Sequence, residues 1–321
     1  AWVKDSTGTG DYSRVVSKKS YSPPEDAGYE LFYQGSSNNI WMYSFDTTYI
    51  SGNAAADIDT NWHYIAGHVY DTQLSGDTYI FFDGADVTGT RQGSTQTYIA
   101  GTEPLYFGTT SGSFHTYYFT GSMDEVRIEN VYRGSDWIKL CYENQRKNQT
   151  LVSAWYNNAW NNRVKISINR SLVALTGIID FPVYVNLANL PAAFFSNVHY
   201  ANGDDILVAA GDGITKVPRE LVSFVNNGDG TGTGELYFKA PSLSNTENTH
   251  FYIYFNSVST ETNDGPGIWS NGYAGVWHME TDLYTESTGH LVLTTMTPQP
   301  NLVSGVIGNG WEFTGTQRLS G

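Results

Sequence analysis

The sequence has one cysteine, no long apolar run and few basic residues, and each shortage excludes a class of protein. Cys141 is the single cysteine among 321 residues, so an internal disulfide is excluded and stability has to come from buried cores. It lies on an apolar helical stripe, which predicts a small buried side chain rather than a reactive thiolate. The longest apolar candidate, residues 178–195, is broken by Asp180, two prolines and two asparagines, so no membrane insertion is predicted.

The charge balance argues against nucleic acid as a partner. Lys and Arg total 17 against 32 Asp and Glu, a formal net charge of -15, which opposes the neutralisation of phosphates. Only 15% of the residues are charged, while Tyr (23), Trp (9) and Gly (33) are abundant. Aromatic and neutral polar surfaces suit sugar recognition outside the cell, so an extracellular or cell-surface location is predicted.

The opening residues do not form a signal peptide. Residues 1–4, Ala-Trp-Val-Lys, are typical of the middle of a strand, whereas a signal peptide has a basic, then an apolar, then a small-residue section. We therefore expect a fragment or a processed segment whose export signal lies elsewhere.

Short alternating apolar runs dominate residues 1–147, and Gly, Ser, Asn and Asp turns separate them. This pattern is typical of an antiparallel sandwich. Trp41 and Tyr43 fall on one face of a predicted strand, and Ile40 and Met42 fall on the other. Helical periodicity is almost absent from this region.

Two local signals are sharper than the rest. Asp83-Gly84 follows the apolar run of residues 78–82 and predicts a hairpin turn. Ser135 and Asp136 are good N-cap residues before an apolar stripe at helical spacing, which predicts one helix.

Residues 148–260 predict a second β unit. Its expected strands are residues 164–168, 181–187, 206–209, 219–225, 234–238 and 250–255. The turn-rich residues 227–232 are either a solvated hairpin loop or a calcium-binding loop. Residues 261–321 begin with a polar linker and are too short to form a domain alone.

Four segments of the first region, in order, resemble the characteristic strands of LamG-like, concanavalin A-like jelly rolls. They are Trp62-His-Tyr-Ile-Ala66, Tyr79-Ile-Phe-Phe-Asp-Gly84, Leu105-Tyr-Phe-Gly108 and Phe119-Thr-Gly-Ser-Met-Asp-Glu-Val-Arg-Ile128. Near the C-terminus, Gly275-Val-Trp-His-Met279, Glu286-Ser-Thr-Gly289 and Ile307-Gly-Asn-Gly310 resemble the opening strands of the same family. The family's halves therefore stand in inverted order.

The middle region looks like a domain of unknown function that is common in bacterial surface proteins. The segments that carry this likeness are residues 160–166, 203–206 and 236–241. The resemblances imply an all-β chain with a concanavalin A-like jelly-roll sandwich and a second, smaller β-sandwich. The jelly roll, residues 1–147, lacks its first strands; the second sandwich spans 148–260, and residues 261–321 hold the linker and the missing strands.

The inverted order leaves three arrangements open. The chain is a piece of a tandem array, or a permuted jelly roll that closes within one chain, or a subunit whose C-terminal strands complete the next molecule. The third arrangement would build a fibre by strand addition.

The resemblance implies a structural calcium held by Asp124 and by Glu286. Asp-Ser-Thr-Gly is the commoner pattern at the second position, where this chain has glutamate, although glutamate is also a calcium ligand. The alternative is that Asp124 accepts hydrogen bonds from the adjoining turn.

For ligand binding, Trp41, Tyr43 and Tyr117 are candidates to stack against sugar rings, or else they belong to the core. Asn148 and Asn169 begin N-glycosylation sequons.

No catalytic residue is predicted. Retaining glycosidases of this fold family array carboxylates as Glu-x-Asp-x-x-Glu on one strand, and no such array occurs. Asp124 and Glu125 are neighbours and point to opposite faces of a strand. His63 and His68 also face opposite ways, so their spacing predicts no zinc site.

Two functions are predicted. An enzyme is a distant third, because it would need a site assembled from separate loops. The first is a secreted, non-catalytic module for adhesion to polysaccharide or to a surface protein. The alternative is a structural repeat or subunit of an extracellular filament, sheath or giant adhesin, which would bind copies of itself.

Overall fold

The computed structural model describes most of the chain. The described residues are 1–6, 12–20, 27–45, 49–55, 58–69, 78–92, 100–111, 117–156, 162–174, 177–281, 285–291, 294–295, 299–315, 317 and 319–320. Residues 160 and 161 of one resembling segment lie outside these ranges. Strands dominate the described residues, which confirms the all-β prediction.

In its described residues, the first region has twelve short strands, a 3-10 turn at Gly35–Ser37 and one helix. These are β1 (Trp2–Asp5), β2 (Ser13–Ser17), β3 (Gly28–Gln34), β4 (Asn39–Phe45), β5 (Tyr49–Ala55), β6 (His63–Val69), β7 (Thr78–Phe82), β8 (Ala85–Asp86), β9 (Arg91–Gln92), β10 (Tyr106–Phe107), β11 (Thr120–Asp124), β12 (Val126–Glu129) and α1 (Ser135–Gln145). Phe82 pairs with Ala85, which confirms the predicted hairpin at Asp83-Gly84.

The helix prediction was right in place and wrong at its cap. Helix α1 begins at Ser135, its N-cap is Gly134, and no side chain caps it. Ser135 and Asp136 therefore lie inside the first turn, where Asp136 places negative charge near the helix N-terminus. Cys141 is buried on this helix, and burial raises the pKa of its thiol to about 12.

The second region forms two antiparallel sheets. Its elements are β13 (Val152–Tyr156), β14 (Arg163–Ile168), β15 (Ile178–Asn186), α2 (Ala192–Asn197), β16 (Leu207–Ala209), β17 (Arg219–Asn226), β18 (Gly232–Leu243) and β19 (Thr249–Tyr254), with 3-10 turns at Arg170–Leu172 and Leu187–Asn189. One sheet has the order β13-β14-β19-β16 and the other β15-β18-β17. Residues 227–231 form the turn between β17 and β18, where Asp229 accepts hydrogen bonds from Thr231.

Strands of the C-terminal region join the sheets of the first region. It contains α3 (Gly265–Ile268), β20 (Tyr273–Trp277), β21 (Thr294–Thr295), β22 (Asn301–Ser304), β23 (Asn309–Thr314) and β24 (Leu319–Ser320). A seven-stranded sheet has the order β22-β23-β11-β1-β6-β7-β8, and an eight-stranded sheet has the order β21-β24-β10-β2-β3-β4-β5-β9. Strand β20 pairs separately with β12.

Two hydrophobic cores follow from these sheets. Val3, Ile40, Phe107 and Phe313 belong to the core of the first sandwich, which therefore mixes N-terminal and C-terminal side chains. The second core contains the inward residues of the second sandwich together with the apolar stripe of α1. Helix α1 is thus the packing element between the two sandwiches. In the part of the chain that the structure describes, helices of membrane-spanning length and apolarity are absent.

Candidate functional site

The eight-stranded sheet carries aromatic side chains on the face turned away from the sandwich core. On β4, Ile40 and Met42 are buried in the core, so the alternation of a strand directs Trp41 and Tyr43 to the opposite face. Both side chains are partly exposed, as the sequence pattern predicted. We define the aromatic patch as Tyr12, Phe32, Trp41, Tyr43 and Tyr117.

Strand register brings the rings of the patch together. Phe32 on β3 lies directly opposite Trp41 on β4, and their ring planes are 9° apart at a centroid distance of 6.3 Å. Tyr43 lies edge-on to both, at 4.9 Å from Phe32 and 5.6 Å from Trp41. Cross-strand aromatic pairs of this kind stabilise a sheet face by about 0.2–1 kcal/mol each.

Tyr117 joins the patch through a cation. The Arg14 guanidinium lies 4.4 Å from the ring centroid of Phe32 and 4.8 Å from that of Tyr117. The Tyr12 ring is 5.2 Å from that of Tyr117. The three residues predicted as ligand-binding, Trp41, Tyr43 and Tyr117, therefore lie in one surface feature.

A buried ion pair adjoins the patch on the same face of the sheet, since Arg14 lies opposite Phe32 and Glu30 lies opposite Tyr43. Arg14 Nη2 lies 3.3 Å from Glu30 Oε2, and both side chains are almost completely buried. Glu30 Oε1 accepts hydrogen bonds from Ser17 Oγ at 3.0 Å and Thr110 Oγ1 at 2.7 Å. These donors hold the carboxylate in place, and its ion pair fixes the guanidinium beside the rings.

A second buried centre lies where the two sandwiches meet, and sequence analysis missed it. His278 Nδ1 is 2.8 Å from Glu125 Oε1, and His278 Nε2 is 3.3 Å from Glu220 Oε2. Arg127 Nη2 contacts Glu125 Oε2 at 2.7 Å. We call these four side chains the junction centre. Arg127 lies on β12 and Glu220 on β17, Glu125 is the residue between β11 and β12, and His278 directly follows β20.

The junction centre is strongly ionised. Burial alone would lower the pKa of His278, but the charge of Glu125 and hydrogen bonds to both carboxylates raise it to about 10. Burial would raise the pKa of Glu125, whereas His278 and Arg127 lower it to about 2. The His278 ring also stacks on Tyr237, with centroids 4.8 Å apart. Local sequence holds no signal for this centre, because Glu220 and His278 are far from Glu125 and Arg127 in the chain.

The two residues predicted to hold calcium have different surroundings. Buried Asp124 accepts hydrogen bonds through Oδ2 from the backbone N–H groups of Val306 and Ile307, at 2.8 and 3.1 Å. Among the residues that the structure describes, its Oδ1 has no hydrogen-bond partner, although it is buried. The backbone turns sharply after it, since Glu125 has a φ of 49°.

Backbone N–H groups satisfy the hydrogen-bonding capacity of the Glu286 carboxylate. Its carboxylate accepts from the N–H groups of Val276 (2.8 Å), Thr288 (2.7 Å) and His290 (3.0 Å). Burial opposes ionisation, but these hydrogen bonds lower the pKa of Glu286. Across the described ranges, no cluster of three or more His, Cys, Asp or Glu side chains is arranged to hold a metal ion. Calcium at Asp124 and Glu286 therefore stays a prediction.

The sequons lie away from both centres. Asn148 is exposed just after α1, and the Asn169 side chain accepts a hydrogen bond from the Ser171 N–H at the start of a 3-10 turn. Their glycosylation stays a prediction.

A cavity of about 460 Å³ lies between β17 and residues 260–263. Arg219 borders it, but its guanidinium donates to the carbonyls of Ile206 (3.0 Å) and Glu261 (2.9 Å). These bonds hold the connection to the C-terminal region against the second sandwich. The cavity contains none of the predicted site residues.

Comparison with known families bears on the first region. Residues 1–139 match the concanavalin A-like lectin/glucanases superfamily. The match spans every member of the aromatic patch and ends within α1, so the patch lies on the concanavalin A-like part of the chain. This likeness indicates a module that binds carbohydrate or protein on a fold that is typically non-catalytic. Comparison with curated proteins and with solved structures finds no match.

Proposed function

We propose that the chain is a secreted, non-catalytic adhesion module whose aromatic patch binds polysaccharide. The observation that carries this proposal is the set of partly exposed rings, Trp41, Tyr43 and Tyr117, on the outer face of the concanavalin A-like sheet. Aromatic faces stack on the apolar faces of sugar rings, and the tyrosine hydroxyls can bond to sugar hydroxyls.

Rigidity of the patch supports binding rather than core packing alone. Phe32 is buried and holds Trp41 and Tyr43 in fixed orientations, and Arg14 is fixed by Glu30. A rigid site loses little conformational entropy when a ligand binds. The composition of the chain, with many aromatic and few charged residues, supports the extracellular location.

The test is a binding measurement on a panel of soluble oligosaccharides by calorimetry. Trp41→Ala is expected to weaken binding about five- to ten-fold, because a lost stacking contact is worth about 1 kcal/mol. Tyr132→Ala is the matched control, since Tyr132 is an exposed tyrosine that contacts His68 of the other sheet. Equal affinity of Trp41→Ala and the unmodified protein would exclude the aromatic patch as the binding site. Binding of a protein but of no glycan would redirect the proposal to a protein partner.

For the strand arrangement, we favour closure within one chain over the filament alternative. The pairing of β23 with β11, which places Phe313 opposite Gly121, and the pairing of β24 with β10 support this choice. A fibre would need the same pairings from a neighbouring molecule. Light scattering of the purified protein is expected to give the mass of one chain; ordered polymers at micromolar concentration would favour the filament.

A further inference from the structure

The four-stranded sheet of the second sandwich presents basic and aromatic side chains on its outer face. Val164 and Ile166 of β14 belong to the core, so alternation along the strand directs the residues between them outward. The same holds on β19, where Phe251 and Ile253 belong to the core. We call the partly exposed outward side chains the basic face; they are Arg163, Lys165, Ser167, His250, Tyr252 and Tyr254.

Strand register places each cation of the basic face beside a tyrosine. Arg163 lies opposite Tyr254, and Lys165 lies opposite Tyr252. Adjacent strands are about 4.8 Å apart, and alternate residues of one strand are separated by about 7 Å. The basic face therefore repeats a cation and an aromatic ring along the direction of the strands.

Contacts with the tyrosines fix the orientation of Arg163. Its guanidinium carbon lies 4.4 Å from the ring centroid of Tyr252 and 5.7 Å from that of Tyr254. Arg163 Nη1 donates to the Tyr254 hydroxyl at 2.7 Å, and this hydroxyl donates to the Gly213 carbonyl at 2.9 Å. A guanidinium that is held in this way loses little side-chain entropy when it binds a carboxylate.

The charge of Lys165 has no direct neutralising contact. Within the part of the chain that the structure describes, no carboxylate forms an ion pair with Lys165. This distinguishes it from Arg14 beside the aromatic patch, which pairs with buried Glu30.

Two carboxylates border the basic face, at Asp212 and Glu247. The Asp212 carboxylate accepts hydrogen bonds from the N–H groups of Ile214 and Thr215, at 2.9 Å each. Burial and then the charge of Lys165 lower the pKa of His250, and Glu247 opposes this effect only in part. The side chains on the face itself therefore carry positive charge and no negative charge.

We propose that the basic face binds an acidic polysaccharide through its carboxylate groups, at a site separate from the aromatic patch. Arginine and lysine bind carboxylates by charge-assisted hydrogen bonds, and tyrosine rings stack on sugar rings. A polymer with a carboxylate on successive sugar rings matches the repeat of cations and rings, whereas an acidic protein supplies the carboxylates without the sugar rings. The net charge of -15 does not prevent this, because salt at physiological strength screens charges beyond about 8 Å.

The experiment is a calorimetric titration of the full chain with an oligogalacturonate, which carries one carboxylate on each sugar. Binding is expected, with an affinity that falls several-fold between low and physiological salt. Neutral dextran of equal length is expected to bind to the basic face more weakly. Lys165→Gln is expected to reduce the affinity for oligogalacturonate about three- to five-fold, which corresponds to the loss of one exposed ion pair.

Three variants provide the controls. Lys165→Arg keeps the charge and is expected to retain the affinity. Lys139→Gln removes the same charge from an exposed position on α1 and is also expected to retain it. Trp41→Ala is expected to bind oligogalacturonate normally, so the two proposed sites are tested separately.

Three results would overturn the proposal, whatever the aromatic patch binds. The first is that oligogalacturonate does not bind at low salt. The second is that Trp41→Ala abolishes the binding and Lys165→Gln does not, which would assign the ligand to the aromatic patch. The third is that polyglutamate binds as tightly as oligogalacturonate and is displaced by it, which would assign the basic face to an acidic protein.

Discussion

The chain contains two buried centres of similar chemistry, which differ in what they join. Beside the aromatic patch, Arg14 pairs with Glu30 and lies 4.4 Å from the ring of Phe32. In the junction centre, His278 pairs with Glu125 and Glu220 and stacks on an aromatic ring. The first centre lies within one sheet. The second connects segments that are 153 and 58 residues apart in the sequence.

The difference lies in the surroundings rather than in the residue types. Partly exposed rings adjoin the Arg14 centre, so its rigidity serves a surface. Side chains of both sandwiches surround the junction centre, and its charges are paired with one another. They therefore contribute to cohesion between the sandwiches. A cation, a carboxylate and an aromatic ring therefore do not define a binding site until their exposure is known.

The largest effect is expected from His278→Gln. Removal of the imidazolium leaves Glu220 buried without a cationic partner, and breaking a buried ion pair in this way costs about 3–5 kcal/mol. Urea unfolding followed by tryptophan fluorescence measures the loss, with the exposed His290→Gln as control. Glycan affinity should not change. A loss of less than about 1 kcal/mol would show that the junction centre contributes little to the stability of the fold.

The next effect is a dependence of stability on alkaline pH. The pKa of His278 is raised to about 10 from its ordinary value near 6.5, so its stabilising contribution is complete below about pH 6.5 and is lost as the pH rises toward 10. The free energy of unfolding, measured at intervals from pH 6 to pH 10, should fall more steeply for the unmodified chain than for His278→Gln. Parallel curves would contradict the ion-pair assignment.

Arg14→Gln is expected to have a smaller effect on stability, about 1–3 kcal/mol. Glu30 loses its cation but keeps the hydroxyl donors of Ser17 and Thr110. In contrast to His278→Gln, this variant should also weaken glycan binding, because the guanidinium positions Tyr117. Arg146→Gln, at a more exposed pair, is the control. Unchanged glycan affinity would show that the Arg14–Glu30 ion pair does not support ligand binding by the aromatic patch.

The smallest effect is expected from Lys216→Ala. Lys216 pairs with Glu261 at 2.6 Å, but the lysine side chain is 61% exposed, and such pairs contribute less than about 0.5 kcal/mol. The same unfolding experiment measures it. A loss as large as that of Arg14→Gln would show that burial does not explain why the buried ion pairs contribute more than this exposed one.

Local pattern was sufficient to place Trp41 and Tyr43 on one strand face and insufficient for the junction. Alternation along β4 assigned Trp41 and Tyr43 to one face, and Asp83-Gly84 located a hairpin, because both signals act over a few residues. The N-cap prediction failed because Gly134, which directly precedes Ser135 and Asp136, has the extended backbone that an N-cap residue requires. The contact of His278 with Glu125 and Glu220 depends on strand pairings between distant segments, which no short pattern records.

The pairing of β12 with β20 determines how the chain responds to mechanical load. The second sandwich follows β12 and precedes β20, and Glu129 opposite Tyr273 is the end of that pair nearest to it. Tension transmitted through the second sandwich would therefore peel the strands apart one hydrogen bond at a time rather than shear them together. Arg133 stabilises this end of the pair, since its guanidinium donates hydrogen bonds to both Glu129 and the Asn271 carbonyl. Under such tension, the hydrogen bonds of this arginine would be the first contacts of the pair to break.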